Sequence, residues 1–359
     1  MTRLRDDCAA ARSFLTHGTW TNASSSQLLP QHPACRINVH SRVWRYSSSW
    51  EGNTLKYKGA PACINHPHVQ WLPDAAPRRV PRLIDAVPLG ITLWFIGDST
   101  SIEHAQSAAC RLASEDEQTV WTDWYTPDWA NGTSGIWSSG GFKISCIRGG
   151  SSTNGLRAGK GLPDASERQV CFVPSVSRDA RVSTAASVLQ RLQAIRVTRD
   201  ADLIICNVGA WYMGHGVDVE PLMLKEVAAL LRVLRSCGPK PCPRMLWRET
   251  FAQHFDTPDG VYRPNTLTSM NVSHRDCKAP RHDISKPKTL SAVAATLLEA
   301  GIETLDGWQL TKARHYSHVT KKDCTHYCVH EGGRPGSVFD ALNDALAMRV
   351  VHCGRHDLK

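Results

Sequence analysis

The sequence predicts an α/β fold built on a mostly parallel sheet. Two observations carry this. Short apolar runs of strand length stand at Ile91–Ile96, Asp202–Cys206, Met245–Trp247 and Ile302–Leu305. Segments of helical periodicity separate them, as expected where crossover helices cover both faces of a sheet. The first run is the pivot of the chain. It breaks at Gly97-Asp98-Ser99, and Ile102, Ala105, Ala109 and Leu112 follow at helical spacing. Ser99 therefore falls in the turn from the C-terminal end of a strand into the first turn of a helix. In open α/β sheets that edge binds ligands, and a helix N-terminus offers unpaired N–H groups to a developing anion. Serine there is a nucleophile or an N-cap, since Asp and Ser are ordinary caps.

The other elements follow in order. Residues 1–90 are rich in Ser, Pro, His, Asn and Trp with little periodicity, so a loop-rich N-terminal segment is expected, packed on a catalytic domain over 91–359. Cys8, Cys35 and Cys63 are placed to staple that segment, and four prolines make 73–90 an irregular connector. The Gly/Ser/Trp-rich stretch 121–165 reads as long loops with short strands. Ala180 to Thr198 reads as helix, with Val182, Ala186, Leu189, Leu192 and Ile195 on one face. Glu220 to Cys237 is a helix with Pro221 in its first turn and a stripe of Val227, Leu230, Leu231 and Leu234. Leu290 to Ala300 and Ser337 to Val351 complete the helices, the former stopping at Gly301.

Bulk composition bounds the function. The chain has 359 residues, 42% hydrophobic and 21% charged, enough for a substantial core. A formal charge of +9 admits acidic partners, but Lys and Arg are scattered without interleaved aromatics. Nucleic acid is therefore not expected as a partner. Thirteen cysteines, none in a CxxC pair, with sequons at Asn22, Asn131 and Asn271, favour an oxidising, glycosylating compartment. The odd count leaves one thiol over, and Cys206, inside an apolar run, is the candidate. No run has signal-peptide or bilayer-spanning character. The expectation is a lumenal or secreted protein whose membrane association, if any, lies in an anchor outside this sequence.

If strands end at Ser99, Asn207 and Arg248, these residues share one edge of a parallel sheet. The base and its orienting acid are supplied by Asp323-Cys-Thr-His326, just before the final helix. Asp and His three apart can share one face of a turn, with one imidazole nitrogen on the carboxylate and the other facing the serine. The ordinary alternatives are a cap for Asp323 and a surface position for His326. A zinc site using Cys324, His326, Cys328 and His330 would consume the base, so no metal is expected. Trp211 and Tyr212 are either sugar-stacking or core residues. The same alternatives hold for Trp121, Trp124, Trp129 and Trp137.

This ordered set resembles the SGNH/GDSL hydrolase superfamily, and more closely its PC-esterase branch, which includes the trichome-birefringence-like polysaccharide O-acetyltransferases. Four blocks carry the resemblance: Trp94-Phe-Ile-Gly-Asp-Ser-Thr-Ser101, Asp202-Leu-Ile-Ile-Cys-Asn-Val-Gly-Ala-Trp-Tyr212, Leu246-Trp-Arg-Glu-Thr-Phe-Ala-Gln-His254 and Asp323-Cys-Thr-His-Tyr-Cys328. The last is the most specific. Tyr327 stands where the family usually has Trp, and Ala210 where a His often follows Gly209. The resemblance implies a three-layer α/β/α sandwich and a Ser99-His326-Asp323 triad. It implies an oxyanion site from the Ser99 N–H and the Asn207 amide, in the block that holds Gly209 and Trp211. A third donor would come from Gly140, Gly141, Gly149 or Gly150. Arg248 would buttress the site, bind the acyl donor, or be a structural strand-end residue.

The implied activity is glycan O-acetylation through an acyl-serine. No bound cofactor is implied; the acetyl donor would be acetyl-CoA or an acetylated carrier, and the partner a carbohydrate acceptor in the Golgi lumen or outside the cell. A carbohydrate acetylesterase would use the same triad with water as acceptor. A non-catalytic glycan-binding or secreted protein on the same fold is the reading from another class, and it predicts a damaged triad.

Overall fold

A computed structural model describes residues 2–22, 69–74, 80–116, 119–122, 124–127, 144–150, 165–175, 184–213, 219–236, 243–257, 259–261, 277–279, 285–320, 323–328 and 337–353. In chain order these form α1 (Thr2–Ser13), β1 (Gly18–Asn22), β2 (Val69–Pro73), β3 (Thr92–Gly97), α2 (Ser99–Glu115), β4 (Val120–Trp121), β5 (Ser145–Gly150) and β6 (Glu167–Pro174). There follow α3 (Ala185–Ala194), β7 (Leu203–Asn207), α4 (Val219–Arg235), β8 (Arg244–Arg248), α5 (Lys288–Glu299), β9 (Glu303–Leu305), β10 (His318–Thr320), β11 (Asp323–Tyr327) and α6 (Val338–His352). The main sheet has seven strands in the order β4-β5-β6-β3-β7-β8-β9. The run β6-β3-β7-β8-β9 is parallel, and β4 and β5 join antiparallel at one edge.

β3 shows why its sequence is a continuous apolar run. Leu93 and Phe95 enter one core cluster and Trp94 and Ile96 the other, so both faces of the strand are covered. One layer holds α1, α2 and α6; the other holds α3, α4 and α5. Asp202 ties the starts of β3 and β7. Its carboxylate accepts from the Thr92 amide at 3.0 Å and from Trp94 Nε1 at 3.1 Å.

The expected strands and helices form within a few residues of their predicted limits. Thr184 caps α3 by accepting from the Ser187 amide, so that helix starts later than expected. Val182 lies outside the described residues. Ile195, expected on the buried face, is 40% exposed because the chain leaves the helix there and turns through Arg196 at φ 56°. Ser337 opens α6 with a reciprocal capping box to Asp340.

Three features depart from expectation. β5 and β6 are full strands. Their charged ends are satisfied internally, by Arg148–Glu167 at 3.4 Å and Arg168–Asp116 at 2.9 Å, and these residues interrupt the apolar pattern. A disulfide joins Cys146 to Cys171 across the pair. The N-terminal segment is not wholly loop, since α1 forms and packs on α6. Cys8, expected to staple residues 1–90 internally, bonds instead to Cys353 at the other end of the chain; Cys35 and Cys63 lie outside the described residues. Arg12 reinforces the contact through Glu303 at 3.0 Å, and its carbonyl accepts from Arg349 at 2.8 Å. Three disulfides between described residues mark an oxidising, extracellular or secretory environment. Cys206 is a free, buried thiol. Among the described residues, no helix is long and apolar enough to cross a membrane.

Candidate active site

The site grows from the turn between β3 and α2. Register places Gly97 beside Asn207 on β7, and Cys206 beside Trp247 on β8. The ends of β3, β7 and β8 therefore lie at one edge, as predicted. Asp98 is the N-cap of α2. Its Oδ1 accepts from the Thr100 amide at 3.0 Å and the Thr100 hydroxyl at 2.7 Å. Its Oδ2 accepts from the Ala210 amide at 3.0 Å, across the sheet edge. Asp98 is thus the brace of the turn, while Ser99 occupies the first helical position, where the amide has no intrahelical acceptor.

His326 Nε2 lies 2.6 Å from Ser99 Oγ. Residues 227 positions apart in the chain therefore meet at hydrogen-bond distance, both nearly buried. With Nδ1 protonated, the serine hydroxyl donates to Nε2, the geometry a general base needs. His326 sits on β11, paired antiparallel with β10. Several ties fix this hairpin. Cys324 is bonded to Cys277, so its sulfur is not a thiolate ligand, and Cys328 is also disulfide-bonded. The Tyr327 amide donates to Glu103, one turn along the nucleophile helix, at 3.4 Å. The Tyr327 hydroxyl donates to the Ala252 carbonyl at 2.6 Å. Asp323 opens the strand opposite Thr320; its side chain lies outside the described residues. The motif is thus strand, not turn. On a regular strand residues three apart face opposite ways, and the register of this hairpin shifts between His318 and Thr320.

Asn207 is wholly buried, and its amide nitrogen donates to the Arg248 carbonyl at 2.8 Å and to Thr250 Oγ1 at 3.4 Å. It braces the end of β8, with only the longer bond open to easy exchange. Gly209 packs so closely on Thr250 that a Cβ would fall inside that side chain. Gly209→Ala should therefore lower stability by about 1–3 kcal/mol. Adding Thr250→Ala should recover part of the loss, as denaturant unfolding of the two variants would show. Gly97 has the same requirement, its missing Cβ leaving room for the Asn207 carbonyl and Ser101.

Arg248 is fully buried. Its Nη2 donates to Thr100 Oγ1 at 2.7 Å and Ser101 Oγ at 3.2 Å, and its guanidinium lies 4.3 Å over the Phe251 ring. These contacts tie the end of β8 to the first turn of α2. Burial lowers its pKa to about 10, with Asp98 and Glu103 pulling the other way. Tyr212 turns inward to donate to Glu226 and belongs to the core. The Trp211 side chain lies outside the described residues. Trp121 and Trp124 pack on the core cluster; Trp129 and Trp137 lie outside the described residues. Gly149 and Gly150 pair with Arg168 and Glu167 near the start of β6, at the far edge of the sheet from Ser99. Gly140 and Gly141 lie outside the described residues.

Sequence reasoning missed three groups that organise this site: Asp98 as the brace, Glu103 as the tie to β11, and His104. Glu103 and His104 look like solvent-facing positions in a helix, but α2 is buried on nearly all sides. His104 packs 4.8 Å from Phe95 and 5.9 Å from Phe339. Burial first, then Arg248, hold its pKa well below the ordinary value, against a weaker pull from Asn343. It is therefore neutral in the folded protein. Unfolded imidazole titrates near pH 6.5, so below that pH the unfolded chain binds a proton the folded one refuses. Stability should fall as pH drops from about 6.5, by up to about 1.4 kcal/mol per unit. Denaturant midpoints at about pH 7 and about pH 5.5 check this, and His104→Leu should flatten the slope.

Compared with known protein families and with curated proteins, the chain gives no match.

Proposed function

We propose that this chain is an SGNH-type glycan O-acetyltransferase acting through an acyl-serine on Ser99. The observation that supports this best is the 2.6 Å contact between Ser99 Oγ and His326 Nε2 at a strand–helix turn. Ser99 attacks the acetyl carbonyl of the donor, acetyl-CoA or an acetylated carrier, while His326 takes the hydroxyl proton. The donor's leaving group departs with that proton, and Ser99 carries the acetyl. A sugar hydroxyl then gives its proton to His326 and attacks the acyl-serine, regenerating free Ser99. The Ser99 amide at the helix N-terminus faces the developing oxyanion, and Asn207 joins it by exchanging its long bond to Thr250. Asp323 orients His326. Transfer to a sugar hydroxyl rather than to water follows from the resemblance of the four sequence blocks, and so does a lumenal or Golgi setting.

The test is intact mass after brief incubation with an activated acetyl ester, with and without neutral oligosaccharides. One added acetyl group, absent in Ser99→Ala and discharged faster by an oligosaccharide than by buffer, is the expected result. Discharge at one rate whatever the sugar would make the protein an esterase. A folded protein with no adduct and no turnover would remove the acyl-serine reading.

A further inference from the structure

The N-terminal elements hold the rest of the chain at two places. The first is α1, joined to the end of α6 by the Cys8–Cys353 disulfide and by Arg12 on Glu303. The β1-β2 sheet is tied to α1 in turn. Trp71 Nε1 donates to the Phe14 carbonyl at 2.7 Å, and the Asp74 amide to the His17 carbonyl at 3.0 Å. The second place is the segment 310–317, which runs into β10. Trp20 Nε1 donates to the Leu310 carbonyl at 3.0 Å, and the Trp20 ring lies 4.1 Å from the Arg314 guanidinium. Tyr316 lies 4.7 Å from the same guanidinium, and its hydroxyl accepts from Arg314 Nη1 at 2.7 Å. Arg314 is only 1% exposed. Its charge is taken out of water and set against ring faces, which a planar, weakly hydrated guanidinium tolerates and an ammonium does not. Trp71 meets Trp20 edge-on at 5.4 Å.

Two short paths lead from Arg314 to the strand of His326. The Arg314 carbonyl accepts from the Ser317 amide at 3.0 Å, and the Ser317 carbonyl accepts from the Cys328 amide at 2.9 Å, two residues beyond His326. On the other side, the Arg314 amide donates to the Thr311 carbonyl at 2.8 Å. The Thr311 hydroxyl accepts from the Ala252 amide at 2.9 Å, and the Ala252 carbonyl accepts from the Tyr327 hydroxyl at 2.6 Å. The segment 310–317 is therefore held between β1 on one side and β11 on the other.

We infer that Trp20 and Arg314 are positioning residues for His326, and that the β1-β2 sheet is a clamp on the segment that carries the base. The N-terminal elements then belong to the catalytic unit rather than standing beside it. The role of His326 rests on the acyl-serine reading; the clamp does not. Ser99 is placed separately, by Asp98 at the turn from β3 into α2. Loosening the clamp therefore moves the base and leaves the nucleophile where it is, and proton transfer across the 2.6 Å contact is sensitive to that displacement. Acylation and discharge both use His326, so both steps slow together.

Amide hydrogen exchange of the whole protein, beside steady-state turnover of an activated acetyl ester, tests both parts. In Trp20→Ala, protection of the 315–320 and 323–328 amides should fall roughly ten-fold, while α1, α2 and the main sheet stay level. The kcat should fall by about ten-fold with KM within about two-fold of wild type. Trp20→Phe keeps a ring over the guanidinium and should restore most of both losses. Arg314→Lys keeps the charge without the planar stacking, so it should resemble Trp20→Ala, and the double variant should be little worse than either single. Arg12→Ala weakens the other anchorage of the N-terminal elements and should leave both readouts as in wild type. Unchanged protection of those amides in folded Trp20→Ala, or a loss spread evenly over the domain, overturns the clamp. Loosened amides with unchanged kcat, or an equal fall of kcat in Arg12→Ala, overturn the positioning role alone. Should Trp20→Ala not fold, Arg314→Lys against Arg12→Ala decides. Absence of turnover in the wild type would be a failure of the acyl-serine reading, and the exchange data would still decide the clamp.

Discussion

Ser99→Ala and His326→Ala should each lower turnover of an activated acetyl ester by about ten-thousand-fold or more, and the double variant should be no slower than the worse single. The reason is that in the proposed acyl-serine mechanism the two side chains act as one. Ser99 Oγ is a poor nucleophile until a base 2.6 Å away can take its proton. Once either partner is gone, the other has nothing left to contribute. Asp323→Ala should be milder, by about 10- to 100-fold, because a carboxylate that orients the ring acts through His326. Losses that multiply in the double variant would mean that Ser99 and His326 do not work in one step. Both positions are close to solvent-free but carry no core packing, so circular dichroism should show folded variants.

How much of this was legible in the sequence depends on what each residue had to signal. β3, β7 and β8 are strands covered on both faces, so composition alone marked them. β5 and β6 were hidden because Arg148, Glu167 and Arg168 place charge in strands, and only the folded pair shows those charges neutralised. α1 was legible in principle, with Cys8 and Ala11 at helical spacing, but small residues make a faint stripe. The meeting of Ser99 with His326 was foreseen from motif order. The strand conformation at Asp323–Tyr327 was not, because β10 supplies it from a segment with no strand signal of its own. Asn207 illustrates the opposite limit. Its place at the sheet edge followed from the strand pattern, but its bond to the Arg248 carbonyl depends on the register of two strands that are far apart in sequence.

Arg248→Met should cost about 3–5 kcal/mol of stability, the largest structural effect expected at this site. The guanidinium is the buried cation between Asp98 and Glu103, and those carboxylates are what hold its charge against burial. Methionine fills much of the volume and keeps contact with Phe251, so the loss is electrostatic rather than a cavity. Two buried carboxylates lose a cation that interacts with them, and the hydroxyls of Thr100 and Ser101 lose a donor. Arg248→Lys separates charge from geometry. It keeps the cation but reaches one hydroxyl instead of two, so about 1–2 kcal/mol is expected. Denaturant unfolding of both variants gives the comparison, and a methionine variant within about 1 kcal/mol of wild type would show that the Arg248 charge contributes little to the fold. The same substitution reaches the chemistry by two routes. Asp98 caps the helix of Ser99 and holds the Ala210 amide, while Glu103 holds the strand of His326. If Arg248 holds both carboxylates in place, its loss loosens nucleophile and base together, and acylation should slow even in variant protein that remains folded.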